Sequence, residues 1–276
     1  MSPSAGATVK FPEQWREFKT GDEVLTFVNR DHEPHRGFHI FMRALPKVLE
    51  ARPQARIVIV GGDEQSYSPR PGANKTWRQV MLAEVGDRLD LSRVHFVGKI
   101  PYATFIDLMR VSRVHAYLTY PFVLSWSMMD AMSAGCFVVG SRTSPVEEMI
   151  SDGVNGRLVD FFDVAAWSET LIDTLAHPEK YEHLQAAARR TIVETYDLRK
   201  HCLPRLVEFV EGELECTPGP HPLRATRTAQ GLPPQAEEDR KSGVFLRFRG
   251  QVAAHCGTQF CRRWGALRRA PKALRS

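Results

Sequence analysis

Two arginines six residues apart, Arg30 and Arg36, stand in a short polar segment (NRDHEPHRG, 29–37) directly before a run with helical spacing. Guanidinium groups carry forked donors that match phosphate oxygens, and a helix start adds unpaired N–H groups and the positive end of a dipole. That combination suits a diphosphate; two solvated surface charges are the plainer reading of the pair taken alone. A second segment of interest is the loop YPFVLSWS at 120–127, followed by Met128, Met129, Asp130, Ala131, Met132, Ser133, Ala134 and Gly135. The small residues let such a helix lie close to a sheet. Asp130 is its one carboxylate, and an unpaired acid in the early turns of a mostly apolar helix is costly enough to ask what it binds.

The elements that must position these residues are legible as alternation. Short β-branched runs at 24–29 (VLTFVN), 55–62 (ARIVIVGG), 93–99 (RVHFVGK), 114–120 (VHAYLTY), 136–142 (CFVVGSR) and 155–160 (NGRLVD) read as six strands. Their nearly continuous apolar character is that of strands covered on both faces. Phe38, Phe41, Met42, Leu45, Val48 and Leu49 form one helical stripe, and Val164, Trp167, Leu171, Ile172 and Leu175 form another. Ser144, Pro145 and Glu147 have the order of an N-cap, a first and a third helical position. From 177 to 212 the chain is charged and helix-prone, which predicts two or three terminal helices. The expected class is α/β, a doubly wound parallel sheet, with ligands in the crevice at the carboxyl ends of the strands.

Charge divides the chain unevenly. Of its 37 Lys and Arg and 32 Asp and Glu, residues 217–276 hold twelve basic against three acidic, so the net +5 conceals a mildly acidic body and a basic tail. The body gives no electrostatic reason to expect nucleic-acid binding. The tail, rich in Pro, Arg and Gly without a period, is expected to be disordered; its VFLRFR stretch at 244–249 has a composition able to touch RNA or an acidic membrane, but a tail without specific partners is the expectation. No uncharged run of membrane-spanning length and no signal peptide is visible, so a cytoplasmic protein is expected. The five cysteines form no CxxC pair and read as reduced thiols. His95 and His115 lie inside strand patterns and read as packed histidines, Trp77 as a packing residue; no metal constellation is present.

Five blocks, NRDHEPHRGF at 29–38, IVIVGG at 57–62, VHFVGKIPY at 94–102, YPFVLSWSMMDAMSAGCFVVGS at 120–141 and PVEEMISDGVNGRLVD at 145–160, make the chain resemble the C-terminal, nucleotide-sugar-binding domain of retaining GT-B glycosyltransferases, glycosyltransferase family 4. The resemblance covers about 21 to 210. It implies a single Rossmann-like GT-B-type domain with terminal helices at 21–216, preceded by a linker-like lead-in at 1–20 that holds Phe11, Trp15 and Phe18, and followed by the basic tail at 217–276. It further implies that Arg30 and Arg36 bind the donor diphosphate, that the backbone of Gly98, Lys99 and Ile100 borders the nucleobase, and that Asp130 holds the ribose hydroxyls. The family's second arginine position is a lysine, and its ribose residue is a glutamate. Its first glutamate, near the donor sugar, falls on Phe122, which leaves the sugar to the amides of Val123, Leu124 and Ser125 and the hydroxyls of Ser125 and Ser127. Glu148 matches a frequent family glutamate and reads as structural.

The activity implied is retaining transfer of a sugar from a nucleotide-diphosphate-sugar to an unknown acceptor, with no cofactor or metal. The acceptor domain such enzymes carry at the amino-terminal side has no counterpart in these residues, so a truncated or split enzyme is expected, with a separately encoded N-terminal acceptor-binding domain as a partner. A non-catalytic nucleotide-sugar-binding module or partner subunit, and a GT-B epimerase, are the alternatives.

Overall fold

The structure is a computed structural model and describes residues 8–11, 16–72 and 74–215. The tail at 217–276, with its VFLRFR stretch, lies outside them. Contacts divide the chain into Met1–Gly212 and Glu213–Ser276, and of the second unit only the last turn of the final helix is described.

Two short strands, β1 (Thr8–Phe11) and β2 (Arg16–Lys19), pair antiparallel where a lead-in is expected. Val9 and Phe18 from this hairpin are buried in the core, so the segment is packed onto the domain. Then follow β3 (Val24–Asp31), α1 (Phe38–Ala51), β4 (Arg56–Gly62), α2 (Trp77–Val85), β5 (Val94–Gly98), α3 (Tyr102–Val111), β6 (Val114–Tyr117) and α4 (Trp126–Ala134). The second half continues through β7 (Phe137–Ser141), α5 (Ser144–Glu147), β8 (Arg157–Val159), α6 (Val164–Ala176), α7 (Glu182–Thr195) and α8 (Leu203–Glu215).

Six strands form one sheet in the order β5-β4-β3-β6-β7-β8, every pair parallel. The expected doubly wound α/β architecture is therefore present. Chain order runs outward from β3 to β5 and then restarts on the other side of β3 with β6, which makes the β3/β6 boundary the point where the loops diverge and leave a crevice. Alternate residues of each strand face opposite helical layers. Leu25, Phe27, Ile57 and Ile59 pack with α1 and α6, where Phe27 stacks on Phe41 at 4.4 Å and Trp167 is fully buried. Val24, Val58 and Val60 pack with α3 and α4 through Leu108, Met109, Met128 and Met132 on the other face.

Several boundaries differ from the sequence reading, three of them at the loops that follow β6 and β7. β6 stops at Tyr117 rather than at Tyr120 because Ser141 takes over the pairing: its hydroxyl accepts from the Thr119 amide and donates to the Thr119 carbonyl, both at 3.0 Å. α4 begins at Trp126, with Ser125 as its N-cap. The N-cap of α5 is Thr143, one residue before Ser144, and its hydroxyl donates to the Thr119 carbonyl at 3.3 Å instead of capping the helix. No helix among the described residues is long and apolar enough to cross a membrane.

Candidate functional site

The loop leaving β3 is pressed against the segment leaving β6. Gly37, at φ +69, closes the turn Pro34–Arg36 and opens α1; a Cβ there would stand 2.2 Å from the Leu118 Cβ. The Tyr120 amide donates to the His35 carbonyl at 2.8 Å, and the Asn29 side-chain amide donates to the Arg36 carbonyl at 3.3 Å. The loop after β4 joins them: Glu33 Oε2 accepts from the amides of Tyr67 at 2.8 Å and Ser68 at 2.7 Å, and His35 Nδ1 is 2.7 Å from the Ser68 hydroxyl.

Arg36 sits where the three loops meet, only 7% exposed. Its Nη1 donates to Thr119 Oγ1 at 3.0 Å and to the Val123 carbonyl at 2.8 Å. The guanidinium lies 5.3 Å from the centre of the Tyr67 ring and 5.7 Å from that of Phe122, and these two rings meet edge to face at 4.9 Å. Aromatic faces attract the cation and leave the in-plane N–H donors at its edge. Phe122, the position where a carboxylate is absent, thus supplies a ring to the cation. Arg36 also borders Tyr117, whose hydroxyl is made less acidic by burial, an effect that the hydrogen bond from Ser125 and the nearby Arg36 charge oppose.

Arg30 has the opposite environment. Its side chain is 77% exposed, with its Nε 3.9 Å from Asp31 Oδ2. Asp31 is buried and accepts from the Ser66 hydroxyl and, at 3.3 Å, from the Glu64 amide. Lys99, just past β5, reaches the same carboxylate at 3.6 Å and Glu64 at 2.6 Å, and the hydrogen bond to Glu64 and the charge of Asp31 hold its proton more tightly. The ends of β3, β4 and β5 therefore share one cluster of mixed charge in which Arg30 is the most open cation. Sequence reading gave Lys99 a backbone role beside Gly98 and Ile100; its side chain is tied to Asp31 and Glu64. Gly98 adopts φ +68 as the chain turns out of β5, and Ile100 is half-buried against the α3/α4 side of the core.

At the start of α4, the Ser125 amide donates to the Tyr117 hydroxyl at 2.7 Å, so this amide already has a partner. The Ser125 hydroxyl accepts weakly from the Ser127 amide at 3.4 Å and lies 3.1 Å from the Ser127 hydroxyl. Val123 is exposed and Leu124 half-buried, and their amides make no hydrogen bond among the described residues. Asp130, on the second turn, accepts from the Tyr102 hydroxyl at 3.1 Å. Burial raises its pKa, and the Tyr102 bond pulls it partly back.

Tyr67, Thr119 and Tyr102 were not singled out from sequence. Tyr67 sits in a polar loop with no periodicity, and Thr119 lies where the strand run at 114–120 passes into the loop, with nothing in its type to mark it as a partner of Arg36. The histidines are as read: His115 is fully buried with Nδ1 3.1 Å from the Thr26 hydroxyl, and His95 packs beside Phe18. Trp77 packs partly on the core and donates to the Pro69 carbonyl at 3.1 Å. Glu148 is exposed and makes no side-chain bond among the described residues, so its structural reading gains no support. Among the described residues no group of three His, Cys, Asp or Glu could hold a metal ion.

Residues 11–191 match the family profile described as "Glycosyl transferases group 1". The phosphatidyl-myo-inositol mannosyltransferase of Mycolicibacterium smegmatis is 30% identical over 201 residues, which are 70% of this chain and 47% of that protein. The fold matches that of Anabaena HepE, solved in complex with UDP-glucose, with a TM-score of 0.57, 19% identity and coverage of 70% of this chain and 49% of HepE. It also matches a solved C-terminal domain of a group 1 glycosyl transferase from Francisella tularensis, with a TM-score of 0.55, 15% identity and coverage of 65% of this chain and 89% of that domain. The chain spans about half the length of the curated mannosyltransferase that it matches.

Proposed function

Because the chain belongs to the glycosyl transferases group 1 family, we propose that it forms the donor-binding part of a retaining glycosyltransferase of the family 4 type and takes a nucleotide-diphosphate-sugar. The observation that carries the reading is the convergence of the loops after β3 and β6 at the topological switch point, with Arg36 fixed in the seam and Arg30 exposed at the end of β3. In this reading Arg30 takes the outer oxygens of the diphosphate, and the seam holding Arg36 carries positive charge beneath it. The start of α1 adds backbone dipoles of the right sign.

The nucleoside lies toward Gly98, Lys99, Ile100 and Asp130. With the Ser125 amide held by Tyr117, the donor sugar is left with the amides of Val123 and Leu124, on the side where Phe122 replaces a carboxylate. In the transfer step the bond from the anomeric carbon to the phosphate oxygen breaks while the bond to the acceptor oxygen forms on the same face. The acceptor's proton passes to the departing phosphate, and the arginines offset the charge that develops there. An acceptor-binding domain outside these residues supplies the acceptor site.

Calorimetric titration of the chain with UDP, GDP and ADP tests this reading. Saturable binding of one nucleotide, weakened about tenfold or more by Arg30→Ala as expected for loss of a charge-assisted hydrogen bond, supports it. A folded chain that binds none of the three refutes it. Binding without release of nucleotide from any donor, in the presence of the partner domain, would leave the non-catalytic module as the better reading.

A further inference from the structure

The shortened carboxylate at Asp130 is not alone. Tyr102 begins α3, directly after the Gly98-Lys99-Ile100-Pro101 turn, and its side chain crosses to α4 to donate to Asp130 Oδ1 at 3.1 Å. Tyr102 remains 65% exposed, so fold packing does not explain its position. Its ring leans on Phe105 at 6.0 Å, and the ring and the carboxylate together edge an open groove of about 1200 Å³ between α3, α4 and α7. Asp130 Oδ2 has no partner among the described residues, although burial makes the carboxylate costly to keep charged.

A ribose presents two neighbouring hydroxyls, and each is best satisfied by its own acceptor. A carboxylate with both oxygens free offers two; Asp130, with Oδ1 engaged, offers Oδ2 and what remains of Oδ1. The Tyr102 hydroxyl donates its single proton to Oδ1, and its oxygen lone pairs stay available as a further acceptor. We propose that Tyr102 and Asp130 act as one unit that reads the vicinal diol of a ribonucleotide, Oδ2 accepting from one hydroxyl and the Tyr102 oxygen from the other. This assignment rests on the donor-nucleotide reading above. It makes Tyr102 a specificity-determining residue and gives the shorter Asp130 the second acceptor that its length denies it.

The test is calorimetric titration of the full chain with the nucleoside diphosphate that binds and with its 2′-deoxy analogue, in wild type, Tyr102→Phe, Asp130→Asn and the double variant. The wild type is expected to prefer the ribonucleotide by on the order of tenfold, and Tyr102→Phe to reduce that preference by about fivefold, the scale of one hydrogen bond. Tyr102→Phe should have less than about a twofold further effect in the Asp130→Asn background, because the two residues act together. An exposed phenol lost from the surface leaves the melting temperature within on the order of one degree, which separates recognition from folding. An undiminished ribose preference in Tyr102→Phe, or effects of the two changes that simply add, overturns the assignment while leaving nucleotide binding in place. Failure of the wild type to bind any nucleotide overturns the donor reading and this assignment with it.

Discussion

Leu118 lies directly beneath Gly37: a methyl group on the glycine would stand 2.2 Å from the Leu118 Cβ and 2.8 Å from its Cδ2. The first contact is with an atom fixed to the backbone, so no rotamer change relieves it, and the left-handed φ of +69 adds strain for any other residue. Gly37→Ala is expected to destabilise the domain by more than about 2 kcal/mol in urea unfolding. Gly21→Ala serves as the control. Gly21 also has a positive φ, +105, but meets nothing within 4 Å, so only the conformational penalty of about 1 kcal/mol applies. Equal costs at the two sites would mean that the two loops do not touch in solution.

The two arginines separate stability from binding. Arg36→Ala leaves the Thr119 hydroxyl and Val123 carbonyl without their donor and removes the cation that sits against two rings. The expected loss is on the order of 1–3 kcal/mol, read as a lower melting temperature. Arg30→Ala removes an exposed side chain 3.9 Å from Asp31, its one ionic neighbour among the described residues, and should leave the melting temperature unchanged while weakening nucleotide binding. Arg36→Lys keeps the charge without the fork and should fall between the wild type and Arg36→Ala. A melting temperature that drops for Arg30→Ala and not for Arg36→Ala would reverse the assignment.

Acid sensitivity should come in part from histidines held neutral. Burial lowers the pKa of His115 from 6.5 to about 4, and burial together with the Arg43 charge does the same for His39. Between those values the unfolded chain binds protons that the folded chain refuses, so stability rises with pH from about 4 to about 6.5 and is level above it as far as these groups are concerned. The fully buried His115 has an upper bound of about 3 kcal/mol over that window. Urea unfolding from pH 4.5 to pH 7 should give a shallower slope for His115→Gln than for the wild type. An unchanged slope would mean that His115 takes up its proton as readily in the fold as in the unfolded chain.

Most of the sheet was legible in the sequence because its strands are buried on both faces and their apolar runs are unbroken. The stripes of α1 and α6 were equally plain, since Phe38, Phe41 and Leu45 or Trp167 and Leu171 recur at helical spacing on faces that are fully buried. The end of β6 was misplaced because hydroxyl pairing by Ser141 imitates a ladder only after Thr119 has left the strand. Arg36 was found through type and spacing, but its burial was not, since that depends on Tyr67, some thirty residues away on another loop. The bond between Tyr102 and Asp130 spans two helices in the same way and left no trace in local pattern.

The strand order also sets a schedule for assembly. β3 is the first strand of the sheet in chain order but lies at its centre, so one of its edges waits for β4 and the other for β6, which begins only at Val114. By Gly98 the growing chain already contains β3, β4 and β5, a three-stranded half-sheet whose pairings are sequential. Its bare β3 edge must stay unpaired until β6 emerges, an interval during which the chain has an open template for other strands. The seam that joins the two loops at Gly37 and Leu118 is thus among the later contacts that synthesis permits, and it closes only after both half-sheets have met.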